Sequence, residues 1–344
     1  MRQSTFEESM ECRGGGYKGF NHTFQDVISV ENLLRAWKKF LPGKRMKTDV
    51  QEFSLDLMEN ILELHQNLFD YTYYHSPYQA FRINDPKPRQ IHKSLVRDRL
   101  FHHAVYQVLY PFFDRTFISD SYSCRLNKGT HKALNRFREF GRIVSQNQTK
   151  TCWVLKCDIR KFFASIDQRV LIEILKEYIS DSDIVWLLSE IIISFDSGKV
   201  GIGLPLGNLT SQLFVNIYMN KFDQWIKHHM KAKHYVRYAD DFVILSRDKV
   251  WLEELLPKIG DFLSEHLKLD LHPDKVSIKT LASGIDFLGW VHFPNHRVLR
   301  TATKRRMFKR LETRKENENT LQSYLGLLGH GNSNKLKSKI SSLN

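Results

Sequence analysis

Two adjacent carboxylates, Asp240 and Asp241, lie between short apolar runs in the segment HYVRYADDFVILS, residues 234–246. Val, Ile, Tyr and Phe favour strands and Asp favours turns, so the segment predicts a β-hairpin with both carboxylates at its tip. Loop composition alone leaves a solvated turn as one interpretation. A site for a hard cation such as Mg²⁺ is the other, because that ion prefers oxygen ligands. A third carboxylate would favour the cation site.

The best candidate for that third carboxylate is Asp158, which ends the strand-forming run TCWVLKC at residues 151–157. A carboxylate at the end of a buried strand is unusual, because Asp is rarely buried unless it is paired. Asp167 follows closely, but it is better placed to cap a helix predicted from about residue 168. If strand and hairpin are neighbours, the carboxylates converge and could hold two Mg²⁺ ions about 3.5–4 Å apart, aligning a 3′-hydroxyl with a pyrophosphate leaving group.

Three further segments are predicted to position this chemistry. Arg125 and Lys128 precede a helix predicted from about Thr130, and a helix start favours anions. The glycine-rich segment 199–212 leads into another helix and suits either a phosphate or an ordinary turn. Residues 285–291 are predicted to form one strand, paired with about residues 297–300.

The composition indicates a folded protein with a polyanionic partner. The chain has 344 residues, 42% of them hydrophobic, and a net charge of +14. That charge favours nucleic acid, although a basic enzyme without such a partner would show it too. No apolar stretch is long enough to span a membrane, and the N-terminus does not resemble a signal peptide. The four cysteines lack CxxC spacing, which favours reduced thiols in a cytosolic protein.

Five motifs in order resemble those of a reverse transcriptase, and the resemblance covers roughly residues 28–340. The motifs are CDIRKFF (157–163), GLPLGNLTSQLFVN (203–216), YADD (238–241), LDLHPDKV (269–276) and FLGW (287–290). The resemblance implies an α+β right-hand polymerase with helical fingers, an antiparallel palm sheet backed by helices, and a small helical thumb. It also implies RNA-directed DNA synthesis with two Mg²⁺ ions, for which Mn²⁺ can substitute.

The same resemblance assigns roles to matching residues. Asp158 and Asp240 would bind both metal ions, the Ile159 carbonyl would complete one shell, and Asp241 would bind less directly. Lys275 would help pyrophosphate to leave. Phe163 would be the steric gate that rejects a ribose 2′-hydroxyl. The other nucleotide-binding positions would be Lys87, Arg89, Leu206, Gly207 and Gln212. The nucleic-acid-binding positions would be Arg125, Lys128, Tyr238, Phe287, Leu288, Gly289, Trp290, Lys304, Arg305 and Lys309.

The finer resemblance is to the reverse transcriptases of diversity-generating retroelements. Leu206 stands where many relatives have Gln, and Ser211-Gln212 where many intron-encoded relatives have Ser-Pro. The segments DPKPR (85–89), YSCRLNKGTH (122–131) and ENLLRAWKK (31–39) also resemble that group. In it, an aliphatic residue in place of Gln, together with the Arg matching Arg89, is linked to error-prone copying of template adenines. An antiviral defence reverse transcriptase that copies a noncoding RNA, a catalytically silent RNA-binding scaffold and a DNA-templated repair polymerase are the alternatives.

The expected partners are a template RNA, a DNA or RNA primer, dNTPs, a basic accessory protein and a structured noncoding RNA, with no membrane. The expected location is the cytoplasm of a bacterium or archaeon, or of a phage-infected cell. The expected divisions are a flexible lead at 1–25, fingers with part of the palm at 26–150, a palm at 151–295 and a basic helical thumb at 296–344.

Overall fold

The computed structural model describes residues 19–84, 88–313 and 318–341. Helices and strands are mixed along the chain, which confirms the α+β class. Phe20 and Phe24, in the predicted lead, are buried in the main core. Residues 1–18 of that lead lie outside the described residues. Within those residues, no helix is both long and apolar enough to cross a membrane.

The N-terminal part of the chain is a helical layer built around one long helix, α5. Apolar residues of α2 at helical spacing, Leu33, Trp37 and Phe40, are buried where α2 packs on α5. The elements of this part are α1 (Phe24–Ile28), α2 (Val30–Phe40), α3 (Thr48–Leu55), α4 (Leu57–Phe69), β1 (Gln79–Ile83), β2 (Arg89–Lys93), α5 (Val96–Thr116) and α6 (Thr130–Val144).

The central sheet has four antiparallel strands in the order β4-β5-β3-β6. The strands are β3 (Trp153–Asp158), β4 (Tyr235–Tyr238), β5 (Asp241–Ser246) and β6 (Ser277–Thr280). Alternate residues of β3 point to opposite faces: Leu155 and Cys157 join the main core, and Val154 joins a second core that includes Phe137 of α6. The sheet is therefore buried on both faces, and its strand ends are the places where polar side chains can gather.

Helices back the sheet on its main-core face. Asp167 caps α8 by accepting a hydrogen bond from the backbone amide of Val170, as the sequence predicted. The helices are α7 (Phe162–Ser165), α8 (Gln168–Lys176), α9 (Ser182–Ile193), α10 (Leu209–Gln224) and α11 (Lys249–Leu267).

The C-terminal part combines a small sheet with three helices: β7 (Ile285–Phe287), β8 (Trp290–His292), β9 (Arg297–Leu299), α12 (Thr301–Thr313), α13 (Glu318–Leu328) and α14 (Asn334–Ser341). The prediction of one strand over 285–291 is wrong. Leu288 and Gly289 have φ of 49° and 84°, which turns the chain into a β7–β8 hairpin. The predicted pairing with the following segment is confirmed, since Trp290 lies opposite Leu299.

Candidate active site

The sheet register brings the predicted carboxylates together. Asp158, the last residue of β3, lies directly opposite Asp241, the first residue of β5. Opposed residues of an antiparallel pair project from the same face with Cβ atoms about 5 Å apart. Asp240 lies in the β4–β5 turn, and its carbonyl accepts a hydrogen bond of 3.1 Å from the amide of Ile159. The predicted hairpin and its neighbouring strand are thus confirmed.

The site carries more negative charge than its surroundings neutralise. Burial raises the pKa of Asp240, and the charge of Asp158 raises it further. Burial, with smaller contributions from nearby carboxylates, raises the pKa of Asp241 to about 7, against the opposing effect of Lys156. The Oδ1 atom of Asp241 is buried and has no hydrogen-bond partner among the described residues. Such an arrangement favours a cation at the site.

Two lysines lie against the carboxylates. The Nζ atom of Lys275 is 2.7 Å from Oδ1 of Asp158, so the structure brings this predicted residue to the site. The Nζ atom of Lys156 is 3.7 Å from Oδ2 of Asp241 and donates a 2.6 Å hydrogen bond to the carbonyl of Asp286 in β7. Lys156 was not singled out from the sequence. It connects the end of the sheet that carries the carboxylates to the small C-terminal sheet.

The carboxylate oxygens of the site fit a hard divalent cation, although in this structure they do not surround one common point. Among the described residues, no three His, Cys, Asp or Glu side chains are grouped at distances that would hold a metal ion. The ammonium of Lys275 lies on Asp158 instead. Carboxylate oxygens are nevertheless the ligands that Mg²⁺ prefers, and the unpartnered oxygen of Asp241 is one of them.

A buried ion pair supports the β4–β5 turn that carries Asp240. Arg237 and Asp223 are both fully buried, and the guanidinium makes two hydrogen bonds to the carboxylate, of 2.8 and 2.6 Å. The same guanidinium donates 3.1 Å hydrogen bonds to the carbonyl of Ala239 and to the hydroxyl of Ser121. Ala239 has φ of 56°, a left-handed conformation that is costly for alanine. Arg237 therefore stabilises a strained residue next to Asp240.

A sequence profile of the family described as reverse transcriptase (RNA-dependent DNA polymerase) matches residues 84–292, more than half of the chain. The chain belongs to the reverse transcriptase family. This membership confirms the expected enzyme class, RNA-directed DNA polymerase. The match includes the segments that carry Asp158, Asp240, Asp241 and Lys275.

This reverse transcriptase is similar in sequence to two curated proteins. Protein YkfC of Escherichia coli strain K12 is 26% identical over 275 residues, 67% of this chain and 69% of YkfC. The group II intron-encoded protein LtrA of Lactococcus lactis is 25% identical over 325 residues, 73% of this chain and 52% of LtrA. The chain thus spans about half the length of LtrA.

Solved telomerase structures share the fold. A truncated apo telomerase from Candida tropicalis aligns with a TM-score of 0.50 at 15% identity, covering 69% of this chain and 59% of that one. At such low identity the likeness concerns the fold alone. It is consistent with the right-hand polymerase fold expected of a reverse transcriptase.

Two of the predicted nucleotide-binding residues, Leu206 and Gly207, lie against β2. The amide of His92 in β2 donates a 3.1 Å hydrogen bond to the carbonyl of Leu206. Gly207 has φ of 115°, and a Cβ atom there would lie 2.9 Å from a methyl group of Ile91. Arg89 begins β2 and lowers the pKa of Asp240, although burial is the larger effect. Lys87 lies outside the described residues.

The other two predicted nucleotide contacts lie along the same segment. The carbonyl of Phe163, the predicted steric gate, accepts a 2.8 Å hydrogen bond from the amide of Leu204. Gln212 lies in the first turns of α10 and is half-buried. Their contacts with a nucleotide stay predictions.

The predicted nucleic-acid contacts at FLGW are only partly compatible with the structure. Phe287 and Trp290 are buried in the second core, so their side chains face the protein interior. A Cβ atom added to Gly331 would lie 2.0 Å from the Trp290 ring, which shows how closely the C-terminal segment covers it. Leu288 and Gly289, in the turn, are half-buried. The turn is the part of the motif that remains available for nucleic acid.

Arg125, which was predicted to bind nucleic acid, has its guanidinium engaged within the protein. Its guanidinium donates to the Asp114 carboxylate at 2.7 Å and to the backbone carbonyls of Asp114, Ile118 and Ser121. Its hydrogen-bonding groups are therefore occupied within the loop. Lys128 donates a 2.7 Å hydrogen bond to the carbonyl of Ser119.

The remaining predicted contacts lie on β4 and α12. The hydroxyl of Tyr238 accepts a 3.1 Å hydrogen bond from Thr130, which joins the β4–β5 hairpin to the start of α6. On α12, Lys304 is half-buried, whereas Arg305 and Lys309 are exposed. Binding of nucleic acid by these residues stays a prediction, as does the division of the chain into four parts.

Proposed function

We propose that the chain makes cDNA on an RNA template by nucleotidyl transfer from dNTPs to a DNA or RNA primer. The observation that carries this proposal is the register of Asp158 opposite Asp241, with Asp240 in the adjoining turn. Lys275 adds a proton-bearing cation beside Asp158, where it is suited to neutralise a departing pyrophosphate. Buried, crowded carboxylates destabilise a fold, so a catalytic role accounts for their presence better than a structural one.

Two Mg²⁺ ions, or Mn²⁺ in their place, are the proposed cofactors. Asp158 and Asp240 would hold both ions, with the Ile159 carbonyl and Asp241 contributing to the site. The bound ions would supply positive charge to the entering and leaving oxygens. The protein would then position the substrates: Phe163 beside the sugar, and Arg89 with Leu206 beside the incoming nucleotide and its templating base.

Primer extension tests the activity. Purified protein is incubated with Mg²⁺, a primed RNA of mixed sequence and four dNTPs, and the cDNA is sequenced. Asp240→Ala is the control and should abolish the product. If wild-type protein and control give equal product, the assignment of the carboxylates is wrong. Without any product, the assay is repeated with the cognate noncoding RNA and accessory protein.

We further propose that the enzyme serves a diversity-generating retroelement and copies template adenines with errors. Leu206 supports this subtype, because an aliphatic side chain cannot make the polar contact that Gln would make with the nucleotide or template. The hydrogen bond from His92 to Leu206 places that residue beside the strand that carries Arg89. A template RNA with structured regions and a basic accessory protein would be its partners.

The variant Leu206→Gln tests this finer proposal. Restoring a polar contact should lower misincorporation opposite adenine several-fold, with smaller changes at the other template bases. Sequencing of cDNA made by the variant and the wild type on one template measures the ratio. Unchanged error rates would overturn the adenine-mutagenising proposal, and accurate wild-type copying would favour the defence alternative, while the polymerase assignment would stand in both cases.

A further inference from the structure

A buried arginine at the junction between α6 and the C-terminal segment has no anionic partner among the described residues. Arg297 in β9 is 7% exposed. Its guanidinium donates through Nε to the carbonyl of His330, and through Nη2 to Oδ1 of Asn135 at 3.2 Å. The third nitrogen, Nη1, is buried and makes no hydrogen bond within the described part of the chain. Arginine is almost never fully buried unless it is paired, so Arg297 is unusual.

A second buried nitrogen without a partner lies on the same face of the small sheet. His292 in β8 is directly opposite Arg297 in β9, and opposed residues of an antiparallel pair project from the same face. His292 is 2% exposed, and its Nε2 atom makes no hydrogen bond to any described residue. Its ring packs edge-on against Phe137 of α6, with the ring centroids 4.7 Å apart. Two buried polar groups therefore lie between β8–β9 and α6 without partners.

The charges that act on these two side chains are positive. Burial lowers the pKa of Arg297, and the charge of Arg138 on α6 lowers it further. Burial, with the charges of Arg297 and Arg138, lowers the pKa of His292 to about 3. Among the described residues, no carboxylate contributes to either shift, and Glu139 of α6 is ion-paired with Arg136. A buried guanidinium in such surroundings favours an anion.

The same arginine joins α6 to the C-terminal segment. The amide of Asn332 donates a 2.8 Å hydrogen bond to the carbonyl of Arg297. The imidazole rings of His131 in α6 and His330 stack with their centroids 3.5 Å apart. Burial lowers the pKa of His131, and the charges of His330 and Arg297 add to that effect. The contact between α6 and the C-terminal segment thus brings several cationic groups together.

We propose that the α6–β9 site, formed by Asn135, Arg138, His292 and Arg297, binds an oxyanion of the phosphate class. The oxygen atoms of such a group accept hydrogen bonds from guanidinium donors and would supply the negative charge that Arg297 lacks. Because Arg297 also donates to the carbonyl of His330, the bound anion would strengthen the contact between α6 and the C-terminal segment.

The α6–β9 site lies away from the turn that was predicted to contact nucleic acid. That turn, at Leu288 and Gly289, is at one end of β8, whereas His292 is at the other end, opposite Ile285. Free inorganic phosphate and the phosphodiester of a nucleic acid offer the same kind of oxygen atoms. Competition between the two therefore has to identify the source.

Sulfate is the probe, because its double negative charge does not change with pH in the range where the protein is folded. Isothermal titration calorimetry of the full chain with sulfate, at an ionic strength kept constant with chloride, measures affinity and stoichiometry. We expect saturable binding at the α6–β9 site, reproduced by inorganic phosphate. Bound sulfate should also raise the Tm of the wild type by mass action.

Variants locate the sulfate. Arg138 is exposed, so Arg138→Met should fold, and it should weaken sulfate binding about fivefold or more because a charged donor is lost. Arg297→Lys keeps the charge but not the forked donor and should weaken binding as well. Arg142→Met, one turn further along α6, is the matched control and should change affinity by less than about twofold. Lys275→Met reports any sulfate at the carboxylates and should leave the α6–β9 site unchanged. Thermal melting confirms that each variant is folded.

A single-stranded RNA oligonucleotide identifies the source of the phosphate. Displacement of sulfate by RNA, with weaker RNA binding in Arg138→Met than in Arg142→Met, would assign the site to a phosphodiester. RNA that binds together with sulfate, and equally to both variants, would assign it to a free oxyanion. Either result supports an oxyanion site. The absence of saturable sulfate binding to the wild type, or an equal loss of affinity in Arg138→Met and Arg142→Met, would overturn the proposal.

Discussion

Removal of the guanidinium of Arg237 is the sharpest test of how the turn that carries Asp240 is positioned. This side chain joins the carboxylate of Asp223 to the carbonyl of Ala239, the residue before Asp240. A single change, Arg237→Met, leaves the fully buried Asp223 without its cation. Breaking a buried pair in this way costs about 3–5 kcal/mol, so loss of activity in the single variant would not separate unfolding from misplacement.

A matched variant removes both members of the ion pair together with the tyrosine hydroxyl that donates to it. In Tyr235→Phe/Asp223→Leu/Arg237→Met, the Tyr235 hydroxyl that donates to Asp223 is removed as well. Apolar replacement of a buried pair is often close to neutral, so most of the stability should return. The hydrogen bond to Ala239 does not return. A left-handed alanine costs about 1–2 kcal/mol, and a hydrogen bond from a charged donor contributes about 1.5–3 kcal/mol, so the contact is large enough to decide the conformation of the turn.

We therefore expect the triple variant to melt near the wild-type temperature and to bind primed template with unchanged affinity, while its kcat falls about 10- to 100-fold. Displacement of a catalytic group by about 1 Å has an effect of this size. Thermal melting, anisotropy of labelled primer-template and single-nucleotide extension measure the three quantities. Tyr235→Phe alone keeps the guanidinium and should retain most activity. A stable triple variant with wild-type kcat would refute the positioning role.

Three further outcomes follow from other contacts. Gly331→Ala places a Cβ atom about 2 Å from the Trp290 ring, so the C-terminal segment must shift. Primer extension in the presence of a trap for free enzyme should become less processive, while single-nucleotide addition persists. Processivity equal to that of the wild type would contradict this prediction. Burial raises the pKa of Asp241 from 3.8 to about 7, so ionisation of this carboxyl destabilises the fold as pH rises from about 4 to about 7. Without divalent ions, Asp241→Asn should therefore raise Tm by roughly 2–5 °C at pH 8 and by little at pH 4. An equal gain in Tm at both pH values would contradict this assignment. Lys156→Met should raise the pKa of Asp241 further and move the acidic limb of the kcat–pH profile to higher pH. Lys279→Met on β6 is the control and should leave the profile unchanged. An unchanged acidic limb in Lys156→Met would exclude an effect of Lys156 on Asp241.

The convergence of the three carboxylates was predictable because it follows from local patterns. Strand-forming runs around Asp158 and around Asp240 predicted two strands, and their pairing placed the carboxylates together. The cap at Asp167 also followed from a short-range rule. Such features depend on residues that are close in sequence, or on one pairing between strands.

The features that were missed depend on distant contacts. Trp290 was assigned to nucleic acid, but the segment that buries it lies some 40 residues further along the chain. Arg125 was treated as a free cation, whereas the loop folds so that its guanidinium meets Asp114 and three backbone carbonyls. Arg237 stood in the first segment considered, yet a fully buried arginine is rare, and its partner Asp223 lies on α10.

The position of β3 inside the sheet also has a consequence for synthesis of the protein. Its neighbours β5 and β6 leave the ribosome more than 80 and more than 110 residues after it, respectively. At about 5–20 residues per second, an apolar strand ending in Asp158 waits on the order of 4–20 s without either partner. Unpaired strands of this kind are prone to aggregation. A chaperone acting on nascent chains should therefore increase the yield of soluble enzyme.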